Sequence, residues 1–199
     1  MSHRSEQLAS RIEEGATGLA TFAQELSDAE WQLPVSATDR RTLGVVVHHV
    51  ASMYPIEIDV VRAIAGGHAA LEVTPEMINQ INAKHAAEHE RAGKAETLEL
   101  LRRNSRAAAE AVRALTDDQL DQAAPFGLSF GAPVTAQFVI EDHPLRHSWH
   151  HLARIRAALE AKAKNTKIPS EVIWEMACFD HASMPVGGGR MSMNFQECI

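Results

Sequence analysis

Apolar residues recur at three- and four-residue steps along most of the chain, which is the period of an amphipathic helix. The first such stripe covers about residues 5–26. The second begins near Thr42 and ends at Gly66 and Gly67, a common helix stop. Pro55 lies inside the second stripe and predicts a bend there. No segment alternates with a period of two over a useful length, so the pattern predicts no β-sheet.

Capping residues delimit the next helices. Thr74 followed by Pro75 is typical of a helix start, and the pattern continues toward Arg91. Apolar residues at helical spacing then predict a helix over residues 97–115. Residues 116–120 open with a threonine and two aspartates, which predicts a further capped turn.

A loop rich in Gly, Pro and Phe at residues 124–133 precedes the last long helix, expected over residues 134–163. Pro144 lies within that helix and predicts a kink. The chain therefore contains four long helices joined by short and medium connections. This organisation predicts an all-α fold, an antiparallel four-helix bundle over residues 1–163.

Residues 164–199 differ in character from the bundle and are predicted to be a C-terminal extension. Trp174, Phe179 and Phe195 are too apolar to remain in water without packing or association. We therefore expect the extension to pack on the bundle or on a second subunit, in a homodimer.

Charge and composition narrow the class of partner. With 19 basic and 26 acidic residues the formal charge is −7, which argues against nucleic acid and anionic membrane surfaces. No apolar run approaches the ~20 residues of a membrane span. The amino terminus shows no apolar leader, and two cysteines are too few for a disulfide framework. These features predict a cytoplasmic protein.

Histidines are frequent and grouped. Eight of the 11 fall into three local groups, namely His48–His49, His85 with His89, and His143, His147, His150 and His151. His147 and His151 are four residues apart, so a helix places both imidazoles on one face, where they can share a metal ion. His143 lies one further turn back on that face. His150 is rotated by about 100° and cannot join them easily.

A third metal ligand must come from another helix. His49 is the best candidate because it lies in mid-helix among apolar residues, where a buried imidazole needs partners for both ring nitrogens. His48 is the alternative at this position, as His143 is in the last helix. His85 and His89 are also four apart, but they lie among charged residues. We interpret them as part of a solvated face.

These residues resemble a known family. Three features carry the resemblance: His49-Val50-Ala51-Ser52, the pair His147 and His151 with the following segment 152–156, and the Trp31 turn before Thr42-Leu43-Gly44. Over about residues 5–162 the chain resembles the DinB/YfiT-like superfamily. Arg154 stands where the family often has glutamine. The resemblance implies a four-helix bundle with a divalent metal held by His49, His147 and His151.

The resemblance also implies a class of function. Family members include metal-dependent hydrolases and thiol-dependent transferases or isomerases that use low-molecular-weight thiols. We therefore expect a metal-dependent hydrolase that uses metal-activated water on a small substrate. The alternatives are a thiol-dependent S-transferase or isomerase, and a non-catalytic metal-binding stress-related bundle.

Imidazole ligands suit zinc or nickel first, with manganese or iron as alternatives. No catalytic residue is assigned. Four carboxylates are candidates for a general base or for a partner behind a ligand, namely Glu57, Asp59, Glu141 and Asp142.

Overall fold

The structure is a computed structural model, and it describes residues 2–166. The helices are α1 (His3–Glu25), α2 (Asp28–Trp31), α3 (Leu43–Ala65), α4 (Pro75–Glu88), α5 (Lys94–Arg113), α6 (Asp117–Asp121), α7 (Ala136–Ile140) and α8 (Arg146–Thr166). The expectations for Trp174, Phe179 and Phe195 lie outside the described residues. The homodimer stays a prediction.

Side-chain caps fix the starts of the helices. The Ser2 hydroxyl accepts from the first backbone amides of α1, and Thr42 and Thr74 cap α3 and α4 in the same way. α3 continues through Pro55 and ends at Ala65, with Gly66 as its C-cap. The predicted starts at Thr42 and Thr74 are confirmed, because the cap residue is readable from the sequence.

Two pairs of long helices pack antiparallel. The Ser5 hydroxyl at the start of α1 donates to the carbonyl of Arg113 at the end of α5. At the other end, Lys94 of α5 donates to the carbonyl of Leu26 after α1. α3 and α8 also run in opposite directions, since α8 approaches earlier parts of α3 as it proceeds. Tyr54 of α3 meets the start of α8.

α1 and α8 run parallel. Trp149 of α8 packs on Gly15 of α1, and Leu152 packs one turn later on Gly18. It follows that α1 and α8 point one way and α3 and α5 the other. Parallel neighbours require a long connection, and α4 is the return path between α3 and α5.

A small β-ribbon lies between α6 and α7. Strand β1 (Ala123–Pro125) pairs antiparallel with strand β2 (Pro133–Thr135), with Ala124 opposite Val134. The prediction of no sheet is therefore wrong in this detail. Strands of three residues are too short for a period of two to be recognised in the sequence.

The last long helix of the prediction is interrupted. A π-helical segment, Glu141–Leu145, separates α7 from α8 and contains Pro144. Proline lacks the amide hydrogen that the α-helical ladder needs, which favours an irregular turn at this place. Among the described residues, no helix is both long enough and apolar enough to cross a membrane.

Candidate metal centre

Three histidines from two helices converge inside the bundle. His49 of α3 and His147 and His151 of α8 each offer a ring nitrogen, and these nitrogens all lie within 4.8 Å of one another. His49 Nε2 and His147 Nε2 are 3.2 Å apart. His49 is 6% exposed and His151 is 3% exposed. The structure therefore brings together the three residues proposed from the sequence.

A buried hydrogen bond fixes how α3 and α8 meet. Tyr54 and Ser148 are both fully buried, and their hydroxyl oxygens are 2.7 Å apart. Ser148 follows His147 directly, and Tyr54 lies five residues after His49. The bond therefore fixes the position of α8 along α3, and with it the position of the α8 histidines relative to His49.

Glu57 lies behind His147. Its Oε1 is 2.8 Å from His147 Nδ1, although the angle falls short of a well-aligned hydrogen bond. The Glu57 side chain is only 13% exposed, and its Oε2 is buried with no hydrogen-bond partner in the part of the chain that the structure describes. A carboxylate at Nδ1 holds the proton on that nitrogen and leaves Nε2 free to donate its lone pair. Of the four candidate carboxylates, Glu57 is the one that contacts the group.

The other three carboxylates serve surface contacts. Asp59 pairs with Arg62 on the exposed side of α3, Glu141 accepts from Gln137, and Asp142 lies near Arg146.

The histidine group fits a divalent first-row metal. In a tetrahedral site with bonds of 2.0–2.1 Å, two ligand nitrogens lie about 3.3 Å apart. The 3.2 Å between His49 Nε2 and His147 Nε2 is close to that spacing. In addition, the Nδ1 atom of His151 is buried without a hydrogen-bond partner among the described residues. A buried polar atom without a partner destabilises the fold. A metal ion that coordinates the three rings therefore fits the residues present.

Burial favours the neutral form of His49 and of His151. Removal from water lowers the pKa of His49 and of His151 well below the usual value of 6.5, and repulsion from His147 lowers both further. Neutral imidazole is the form that binds a metal ion.

We expect the metal-free protein to lose stability as the pH falls from 7 to 5. Unfolded histidines bind protons near pH 6.5, whereas the folded pKa values lie lower, so acid favours the unfolded chain below pH 6.5. Burial lowers the pKa of His85 to about 4. This shift should lower the free energy of unfolding by up to about 2 kcal/mol at pH 5. Urea denaturation of chelated protein at pH 7, 6 and 5 measures this. An unchanged midpoint would contradict it.

A second prediction concerns the carboxylate behind His147. Glu57→Gln keeps the size of the side chain and removes its charge, so it should weaken metal binding by about 10- to 100-fold. Competition with a chromophoric chelator measures the affinity. Glu141→Gln is the matched control, because this exposed carboxylate contacts Gln137 and none of the three histidines. Equal affinities for the two variants would show that Glu57 has no role in holding His147.

A charged cluster lies beside the histidines. Asp39 accepts two hydrogen bonds from the Arg41 guanidinium, at 2.9 and 2.7 Å, and one at 3.0 Å from the guanidinium of Arg154 in α8. Arg41 is close enough to lower the pKa of His49, and Arg154 that of His151. Sequence reasoning missed Asp39 and Arg41, because they lie in an irregular loop with no period to read.

His143 stays outside the group. It lies in the π-helical segment, its ring meets the edge of Phe126, and its Nε2 is 3.7 Å from Asp142. The extra residue in a π-helical turn rotates the preceding residues around the helix axis, so His143 does not lie on the face of His147 and His151. His150 contacts only the ring of His151 within the group, with 5.1 Å between ring centroids.

His48, His85 and His89 form a second cluster. The interpretation of His85 as part of a solvated face is wrong, since the residue is 7% exposed and its ring contacts those of His48 and His49. A signal was present in the sequence, because His85 continues the apolar stripe of Ile78 and Ile81.

Comparison with known proteins agrees with the fold. YfiT from Bacillus subtilis, described as a probable metal-dependent hydrolase with an unusual four-helix bundle topology, superposes with a TM-score of 0.66. It is 19% identical, and the match covers 82% of this chain and 90% of that chain. No curated protein matched. The family model of the DinB superfamily matches residues 11–155, and the chain therefore belongs to the DinB superfamily.

Proposed function

We propose that this protein is a metal-dependent hydrolase that directs water onto a small substrate, with the metal held by His49, His147 and His151. The observation that carries the proposal is the meeting of three imidazoles, those of His49 and His151 buried and that of His147 partly buried, whose nitrogens lie within 4.8 Å of one another. A divalent ion bound there would supply a Lewis acid that polarises a substrate oxygen and acidifies water. YfiT, which shares the fold, is described as a probable metal-dependent hydrolase.

The ligand set favours this chemistry. Three neutral imidazoles do not diminish the positive charge of the ion, and three protein ligands are the number found in catalytic zinc sites. The Glu57 carboxylate lies 2.8 Å from His147 Nδ1, where it favours the tautomer that carries the proton on Nδ1 and leaves Nε2 free for the metal. The Tyr54–Ser148 hydrogen bond fixes the position of α8 along α3, which limits movement of His147 and His151 relative to His49.

The neighbouring charges favour an anionic substrate. Arg41 and Arg154 share the single carboxylate of Asp39, so the cluster carries one net positive charge. Because Arg41 influences His49 and Arg154 influences His151, this charge acts at the histidine group. We infer a small ester or amide that carries a carboxylate or phosphate near the bond to be cleaved.

A panel of activities tests the proposal. Protein stripped of metal and reloaded separately with zinc, nickel, manganese or iron is offered anionic and neutral esters, amides and thiol–electrophile pairs. We expect metal-dependent hydrolysis that prefers anionic substrates and is lost in His49→Ala. His68→Ala is the control, since this exposed histidine belongs to neither histidine cluster.

The other outcomes decide between the alternatives. Thiol addition without hydrolysis would replace the proposal by the thiol-dependent transferase or isomerase. Full metal loading without turnover of any substrate class would favour a non-catalytic bundle.

A further inference from the structure

The second histidine cluster lies between α3 and α4. His48, His85 and His89 each offer a ring nitrogen, and these nitrogens lie within 4.8 Å of one another. His48 Nδ1 is 2.8 Å from His85 Nε2. The rings of His48 and His89 stack with 4.1 Å between their centroids, and those of His85 and His89 are 4.7 Å apart.

This cluster repeats the construction of the first. His48 and His49 are consecutive on α3, so their side chains leave the helix about 100° apart. His49 faces two α8 histidines that are four residues apart, and His48 faces His85 and His89, which have the same spacing at the end of α4. Each consecutive histidine of α3 therefore completes a trio with a pair from another helix.

We propose that His48, His85 and His89 form a second divalent metal site, distinct from that of His49, His147 and His151. Its donors are imidazole nitrogens alone, a set that suits zinc, nickel or copper and does not suit magnesium or calcium. The proposal does not depend on the hydrolase activity, since it concerns separate ligands.

The chemical state of the cluster suits a metal. His85 is buried, and its Nδ1 has no hydrogen-bond partner among the described residues. Nε2 of the same ring lies 2.8 Å from His48 Nδ1, so two of the proposed ligand nitrogens are already adjacent. An imidazole binds a metal ion through the lone pair of such a ring nitrogen.

Only a small rearrangement is needed to admit an ion. The 2.8 Å between His48 Nδ1 and His85 Nε2 must widen to about 3.3 Å for a tetrahedral site. His89 can adjust because it is the half-exposed residue that caps the end of α4.

The site has a structural consequence. α4 connects two parallel helices, and among its residues only His85 is buried. An ion shared by His48, His85 and His89 would hold the end of α4 on α3. The His85 ring is 5.5 Å from that of His49, so the second site lies directly beside the first histidine group.

Metal stoichiometry tests the proposal. Untagged full-length protein is stripped with a chelator, dialysed against zinc at pH 7.5 and analysed for metal per chain. We expect two ions in the wild type, one in His89→Ala, one in His147→Ala and none in the double variant. His68→Ala should keep two.

The opposite results are equally clear. One ion in the wild type that His89→Ala retains, or two ions in His89→Ala, would overturn the proposal. Loss of both ions in His89→Ala from a folded protein would show one shared centre, which also overturns it. Cobalt titration of wild type and His48→Ala adds a second measurement, because removal of one of two sites should lower the number of cobalt equivalents at which the absorbance saturates from two to one. An activity failure with two bound ions would contradict the hydrolase and leave this site standing.

Discussion

His147→Ala is expected to weaken metal binding at the first histidine group by at least about 100-fold. Removal of a residue that only supports a ligand costs about 10- to 100-fold in affinity, so loss of the ligand itself should cost more. The substitution also leaves the buried Glu57 carboxylate without the ring 2.8 Å away. We expect one ion fewer per chain at micromolar zinc, measured by elemental analysis after dialysis.

His150→Ala is the control for this experiment. His150 lies on the same helix, three residues after His147, but offers no nitrogen to the group. It should keep the metal content of the wild type. Full metal content in His147→Ala would show that another histidine supplies the ligand, with His143, four residues earlier, as the first to examine.

The sequence predicted much of this centre because its information is local. A spacing of four on a helix places His147 and His151 on one face whatever the rest of the chain does. Likewise Thr42 and Thr74 mark the starts of α3 and α4 because the cap is made with amides two or three residues away. His49 is the best third candidate because it lies in mid-helix among apolar residues, and the family resemblance implies the same residue.

What could not be predicted depends on contacts between distant segments. The parallel course of α1 and α8, seen in Trp149 on Gly15, is a property of the connections and leaves no period in the sequence. The return of α4 along α3 is the same kind of feature. It places His85 against His48, so a residue that the sequence assigns to a solvated face is buried in the structure.

The π-helical segment shows a different limit. Pro144 indicated an irregularity, but proline alone does not say whether a helix bends, ends or gains a residue. The extra residue in the turn decides that His143 leaves the face of His147. In the same way, Asp39 and Arg41 come to lie beside the histidines through the path of a loop, which local propensity does not define.

Gly44→Ala is expected to destabilise the fold by about 3 kcal/mol, a sum of overpacking and a lost buried hydrogen bond. A Cβ at this position would lie 2.3 Å from Nε1 of Trp31, far inside van der Waals contact. Trp31 is 3% exposed, and its Nε1 donates to the carbonyl of Ala92 at 2.9 Å, so the indole cannot move away freely. For a domain of this size the midpoint of thermal unfolding should fall by about 6–12 °C.

Gly18→Ala separates this steric effect from the general effect of glycine in a helix. A Cβ at Gly18 would lie 3.7 Å from Leu152, which is ordinary contact. Alanine there should stabilise by about 0.5–1 kcal/mol, because glycine is the poorer helix former. Thermal melts followed by circular dichroism compare the two variants under the same conditions. Equal shifts in the two melts would mean that Trp31 does not occupy the space above Gly44, and the packing between α2 and the start of α3, five residues before His49, would have to be revised.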